Sequence, residues 1–492
     1  MQVIYSDIPF LTLILACCIG AIVVVLLTPS RMTRAIKWVC AVSSAMTLVI
    51  SLYLFVAYDR AIGGLQFGER VDWIPGLGIS YHNAIDGFSA PMLLLTGIVF
   101  FTGVLTMWEL DVRVKEFFAL LVSLVTGVFG MFMALDLFFI FVWYDVSLFP
   151  MYLLIVIWGS TKKEYGAMKL MLYLLAGSAL ILPAIVYLVV ASGFTSFDLV
   201  ALVTEASFSP FQQKFAFFLF YIGFGILAGV WPFHTWSPIG HVAAPTAVSM
   251  MHAGVLMKIG AFGILRVGIF LCPQGWQYWA PLMAVLATIG IVYGVFVGLS
   301  QTDLKFVIGY SSVSHMGMVG LGLSTVTLDG LNGAVFQMFA HGIMTALFFS
   351  TVGYIYDRTH SKQISDLGGL AKVMPVASGY FVLAALTGIG VPCLASFWAE
   401  LLIFIGTFRA YPLLGIPVIC SLVVGALFML RVVQKTIFGP ENQRFSHLKD
   451  VSFALGLPRM ILAATILIFG FFPFLMYETI QITSMHLLGR LP

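Results

Sequence analysis

The chain reads as an all-α polytopic membrane protein with about fourteen transmembrane helices, and three observations lead there. First, 61% of the 492 residues are hydrophobic and 9% are charged, with a mean hydropathy of +1.05. Soluble domains carry about 25% charged residues, so this chain could not cover a water-facing surface. Second, apolar runs long enough for a hydrocarbon core of about 30 Å recur along the whole length. Third, the basic residues between those runs are unevenly placed. Seventeen of the 24 Lys and Arg fall on one side of the alternating loops, six on the other, and Lys258 lies mid-run. With cytoplasmic loops the basic ones, both termini are predicted outside, which requires an even number of passages.

Taken in order, the runs cover 8–28, 35–57, 85–107, 115–134, 137–158, 166–191, 214–231, 245–268, 279–299, 306–324, 330–355, 376–407, 414–437 and 457–478. No stretch between them is long enough for a further soluble domain. The start, MQVIYSDIPF, lacks the basic region of a cleavable signal peptide, so the first run is expected to be a permanent span. The net charge of +3 is small, and no basic block or aromatic–basic interleaving exists for nucleic acid. The six cysteines lie in or beside apolar runs, without metal-ligand or iron–sulfur spacing, and read as small core residues. No metal is expected.

Two runs are interrupted. One breaks at Pro232 in GVWPFHTWSPIGHVAAPT, and the other at Pro392 in GIGVPCLASFWAELL. Broken backbone at membrane depth exposes unpaired peptide groups, so it is tolerated where it lines a polar path. Interruptions placed correspondingly in two halves point to a repeat-built transporter with its pathway at the breaks. Ordinary proline kinks are the plainer alternative.

Five ionisable groups fall near the middle of their runs: Asp145, Lys258, His315, His341 and Glu400. A charge at the centre of a membrane helix costs about 2.5–3.5 kcal/mol on insertion scales. Histidine titrates near neutrality and passes a proton both ways. Acid, lysine, two histidines and acid at one depth therefore read as a proton relay through intervening water. The alternatives differ by residue. Asp145 and Glu400 also fit permanently neutral acids bonded to backbone freed at the breaks, Lys258 fits a structural partner of one acid, and the two histidines fit helix packing. His234, His241 and His252 either line an entry half-channel or cap helix ends. Lys305, near a helix end, reads first as an anchor and is a candidate for the same entry path. Asp86 and Asp136 read as anchors.

At these residues the chain resembles the antiporter-like subunits of respiratory complex I, the proton-pumping NADH:quinone oxidoreductase, and among them the M type (mitochondrial subunit 4). The segments that carry the likeness are WPFHTW, HVAAPTAVSMMHAGVLMKIGAFGILR, TDLKFVIGYSSVSHMG, GLNGAVFQMFAHGI, YDRTHSKQISDLGGLAKVMP and ASFWAELL, within residues 80–440. Subunits of cation/proton antiporters and membrane-bound hydrogenases share parts of it. The resemblance implies two inverted five-helix repeats, each with one broken helix. They are set at 108–268 and 269–440, between a three-helix segment at 1–107 and a C-terminal helix at 441–492. It makes Asp145 the channel acid, Lys258 the central lysine, His315 and His341 the axis histidines, and Glu400 the terminal proton-exchanging acid. It also implies an energy-transducing membrane, bacterial inner or plasma membrane above all. The implied partners are other membrane subunits of such an assembly, further antiporter-like subunits included, besides lipid and protons. No cofactor is expected in this chain, and flavin, iron–sulfur clusters and quinone are expected in partner subunits. Whether the chain counts as part of an enzyme depends on that assembly.

Three departures stand out. The channel acid is normally glutamate and here is Asp145. The lysine expected just before WPFHTW is replaced by Leu227, and the acids usual after that motif are missing. The first half of the relay is therefore expected to be weakened, rerouted through His234 and His241, or dead. A non-pumping scaffold, or a subunit of a related cation/proton antiporter or hydrogenase, are the alternatives carried forward.

Overall fold

The computed structural model describes residues 3–491. Thirteen helical stretches among them are long and apolar enough to cross a membrane. The first six are α1 (Phe10–Leu27), α2 (Thr33–Ala57), α3 (Ser89–Thr106), α4 (Val114–Met133), α5 (Leu137–Trp158) and α6 (Lys163–Ser192). After the short α7 (Leu199–Glu205) come α8 (Pro210–Ala228) and α9 (Trp236–Ala243), which together make one passage. Then follow α10 (Thr246–Ile269), α11 (Pro273–Ser300), α12 (Leu304–Ser324) and α13 (Leu328–Thr359). A further passage is shared by two shorter pieces, α14 (Pro375–Gly388) and α15 (Ala395–Ala410). The chain closes with α16 (Pro412–Thr436), α17 (Phe453–Phe471) and α18 (Phe474–Leu488).

The last apolar run is longer than its sequence boundaries. α17 continues into α18 across Pro473, because proline ends the helical hydrogen-bond ladder without ending the passage. Loop 58–88 also departs from a purely helical description. Leu65–Ile74 (β2) and Ile79–Ile85 (β3) form an antiparallel hairpin turned at Pro75 and Gly78, and Val3–Tyr5 (β1) adds in parallel to β2. Its alternating residues, LQFGERVDWI and ISYHNAI, suit a half-buried sheet and do not suit a helix.

Loop contacts sort the molecule into two faces. Beside the β1–β2 pairing, Arg490 donates to the Phe270 and Val203 carbonyls at 3.1 and 3.0 Å, so both ends of the described chain share a face. On the opposite face Lys37 reaches the Trp108 carbonyl (2.7 Å), Ser160 N–H the Ala243 carbonyl (2.8 Å), and Lys362 the Ser160 hydroxyl (3.2 Å). The loops with most of the basic residues meet there.

The same local devices occur twice. Asp136 and Asp303 each cap a helix, accepting from the amides two and three residues on. A Cβ on Gly127 would lie 2.8 Å from both the Ser147 nitrogen and the Trp143 oxygen. One on Gly294 would lie 2.8 and 2.9 Å from the Ser314 nitrogen and the Tyr310 oxygen, at one constant offset in the numbering. The two interruptions also match. Gly229 (φ 70°) and Gly390 (φ 74°) adopt the left-handed conformation at the helix ends. Val230 N–H bonds the Gly225 carbonyl (3.0 Å) and Val391 N–H the Leu386 carbonyl (3.2 Å). Each is a Schellman ending, which satisfies carbonyls that a broken helix would otherwise leave open in lipid.

Candidate functional site: a string of titratable groups in the bilayer interior

Lys258 is fully buried in α10 between two π-helical turns, His252–Leu256 and Ile264–Ile269. Each such turn shifts the register of the helix and re-aims the side chains beyond it. The ammonium donates to the Ala253 carbonyl and to His341 Nδ1, the latter at 2.7 Å. With Nδ1 accepting, the proton of a neutral His341 ring sits on Nε2, which is buried without a partner. The His341 ring stacks on His315, centroids 5.1 Å apart and planes at 25°.

His315 Nδ1 donates to the Ser311 carbonyl at 2.8 Å, which leaves Nε2 free to face Glu400. Nε2 and Glu400 Oε1 are 3.6 Å apart, too far for a direct hydrogen bond and within the range of charge attraction. Both groups line a narrow cavity with Ser311, Ser314 and Phe404. Its volume of about 40 Å³ leaves room for about three waters at most. Glu400 reaches this place because the α14–α15 interruption supplies no side chain there. A Cβ on Gly390 would run into the Glu400 carboxylate. Lys258, His341, His315 and Glu400, from four separate helices, thus make one continuous string.

Asp145 stands apart from it. Its carboxylate accepts from Ser178 at 2.8 Å, and no ion pair to it occurs among the described residues. Half-buried, it borders an open surface groove with Ser123, Val142 and Phe149. Leu227 is fully enclosed. The remaining sequence candidates divide. His241 and His252 pack together with ring centroids 4.2 Å apart. His241 Nε2 meets Ser237 at 3.0 Å, and His252 stacks on Trp236. Lys305 donates to the Ala244 carbonyl at 2.9 Å, and Ser249 to the His241 and Ala244 carbonyls. These groups lead from the opposite face toward Lys258. His234 lies elsewhere, edge-on to Tyr293 at 4.8 Å, with both ring nitrogens unpartnered.

Sequence reasoning passed over two amides. Gln337 and Asn332 on α13 are fully buried with all their side-chain polar atoms unpartnered. The signal was present in GLNGAVFQMFAH, where an amide interrupts an apolar run twice. It also left Asp86 as an anchor, whereas Asp86 forms a buried ion pair with Arg266 at 2.6 Å.

A polytopic bundle with two interrupted passages and titratable groups beside one of them defines an antiporter-like membrane subunit. Residues 134–425 match the family described as NADH:quinone oxidoreductase/Mrp antiporter, transmembrane, and the chain belongs to that family. It is 32% identical to NAD(P)H-quinone oxidoreductase chain 4 2 of Microcystis aeruginosa, over 88% of this chain and 80% of that one. It is likewise 32% identical to NADH-quinone oxidoreductase subunit M of Rickettsia typhi, over 86% of each. A chain of respiratory complex I from Thermus thermophilus superposes with a TM-score of 0.89 at 25% identity, covering 97% of this chain and 100% of that one. The chain is accordingly a multi-pass membrane subunit of the complex I type.

Proposed function

We propose that this subunit moves protons across an energy-transducing membrane through Lys258, His341, His315 and Glu400, driven by redox chemistry in partner subunits that hold the flavin, iron–sulfur clusters and quinone site. The observation that carries the reading is the unbroken string, with 2.7 Å from Lys258 to His341, 5.1 Å ring to ring between the histidines, and 3.6 Å from His315 to Glu400. Each member both gives and takes a proton. A proton entering by Lys305, His241 and His252 loads the Lys258–His341 pair. It passes ring to ring by way of water and is handed to Glu400, which exchanges it with the next subunit or the outer water. Two inverted repeats account for the paired Schellman breaks and the paired helix-capping aspartates. The face bearing the termini is the outer one.

The test is Glu400→Gln, and separately Lys258→Met, in the assembled complex in sealed vesicles. Both variants are expected to keep quinone reduction and lose most of the chain's share of proton transfer per electron. Normal proton yield in both refutes the reading. Leu227 favours a second reading for the first half alone. There the chain acts as a scaffold, and Asp145 is a neutral acid held by Ser178.

A further inference from the structure

A second buried polar site lies between the central string and the terminal face. Asp86 Oδ1 accepts from the Phe88 and Ser89 amides, the Ser89 hydroxyl and Arg266 Nη2. Asp86 Oδ2 and Arg266 Nη1 are both buried and have no partner, and each residue is 1% exposed. The guanidinium lies between the Phe262 and Phe270 rings, at 5.1 and 5.4 Å. Beside this pair opens a cavity of about 630 Å³, which Asp86 itself lines together with Leu65, Thr204, Thr483, His486 and Arg490. One water needs only about 10–15 Å³ of such space, so the cavity has room for many waters.

The site lies toward the terminal face from the central string. Arg266 follows Lys258 in the same helical stretch by about 12 Å at 1.5 Å per residue. Asn332 precedes His341 on α13 by about 14 Å toward the same face, and Gln337 lies one turn from His341, about 6 Å along. Asn332 falls two turns from Phe339 on the face of α13 that Phe339 packs against Phe469 of α17. α18, which continues α17, carries Ser484, likewise buried and unpartnered. A buried amide without a partner is costly, so four such amide atoms and the orphaned Asp86 oxygen at these levels are places where water would complete the bonding.

We propose that the terminal-face half of the molecule carries its own proton outlet, with the Asp86–Arg266 pair as its gate and the cavity beside the end of α18 as its mouth. A proton arriving through water from the Lys258–His341 level binds Asp86 Oδ2 and makes an O–H bond. The neutral acid releases Arg266, whose charge stays on the faces of Phe262 and Phe270. The proton then leaves to cavity water, the O–H bond breaks, and the ion pair closes behind it. This step presupposes that the chain carries protons at all, so its test runs beside Glu400→Gln in the same assembled complex in vesicles.

Asp86→Asn is expected to lower the proton yield per electron pair with quinone reduction intact, by less than Glu400→Gln does because the Glu400 branch stays open, and Asp86→Glu to restore it. Thr204→Cys on the cavity wall is expected to pump normally until a membrane-impermeant trimethylammonium thiol reagent is added at the outer face, and then to fall to the level of Asp86→Asn. Should Asp86→Asn fail to assemble, the Thr204→Cys arm decides. An unchanged yield in Asp86→Asn, or in the labelled cysteine variant, while Glu400→Gln still loses pumping, overturns the outlet and leaves the proposed function standing. An unchanged yield in Glu400→Gln as well overturns both.

Discussion

The two interrupted passages have the same backbone and different chemistry around it. After Gly229 the chain runs into Trp231 and Pro232, and the nearest side chain to a Cβ there would be the tip of Met257 at 2.7 Å. After Gly390 the corresponding neighbour is the Glu400 carboxylate. In the second half the interruption opens onto a string of four titratable groups. In the first half Asp145 has a serine for company and Leu227 is an enclosed apolar side chain. A helix break in a membrane thus creates an opportunity for ion transfer but not the transfer itself, which also needs groups that exchange protons within reach of one another.

The strongest way to break this contrast is His341→Leu. It removes the group that, among the described residues, joins Lys258 to His315, and it is expected to lower proton yield as far as Glu400→Gln does, measured per electron in sealed vesicles. A yield near that of the parent would mean the string is not the path. The two glycines come next. Alanine in the left-handed conformation costs about 1 kcal/mol or more at either position. Gly390→Ala should also displace Glu400 and lose pumping, whereas Gly229→Ala should meet only a flexible methionine end and lose a few degrees of thermal stability. Equal pumping losses would erase the difference between the breaks.

Asp145→Asn should reduce proton yield by less than half of the Glu400→Gln loss, because the amide keeps the Ser178 hydrogen bond. Leu227→Lys buries an ammonium and should lower the amount of assembled complex without raising the yield. A higher yield would show that the first half lacks one side chain and no more. The smallest effect concerns the hairpin on the face that bears the termini. Burial alone would raise the Asp198 carboxyl, but the His82 hydrogen bond at 2.9 Å, the His82 charge and the Arg70 guanidinium outweigh it and hold it below its ordinary value. A carboxyl so depressed stabilises the fold above its unfolded value of about 3.9 and loses that contribution as pH falls through the folded one. Hydrogen exchange at β3 and α7 should therefore quicken only in acid, and in His82→Ala it should quicken at a higher pH than in the parent.

Much of this was legible in the residues. Hydrophobic runs must match the thickness of the bilayer, so the passages could be counted, and proline beside glycine located both interruptions. Polar residues in lipid are costly enough to stand out, so Lys258, His315, His341 and Glu400 were each identifiable singly. The hairpin at 65–85 was harder to see because its alternation lies in a loop between strong helical signals. Gln337 and Asn332 were overlooked because amides carry no charge to flag them.

What the sequence by itself determined is the class of molecule and the inventory of titratable groups within its spans, since transfer into lipid depends on composition along a single helix. Which of those groups touch was decided only by packing. Lys258 meets His341, and His315 faces Glu400, because helices far apart in the chain turn those faces toward each other. Asp145 is left aside and Asp86 is drawn in against Arg266 for the same reason: distance between side chains on different helices is a property of the assembled bundle, and no one-dimensional pattern encodes it.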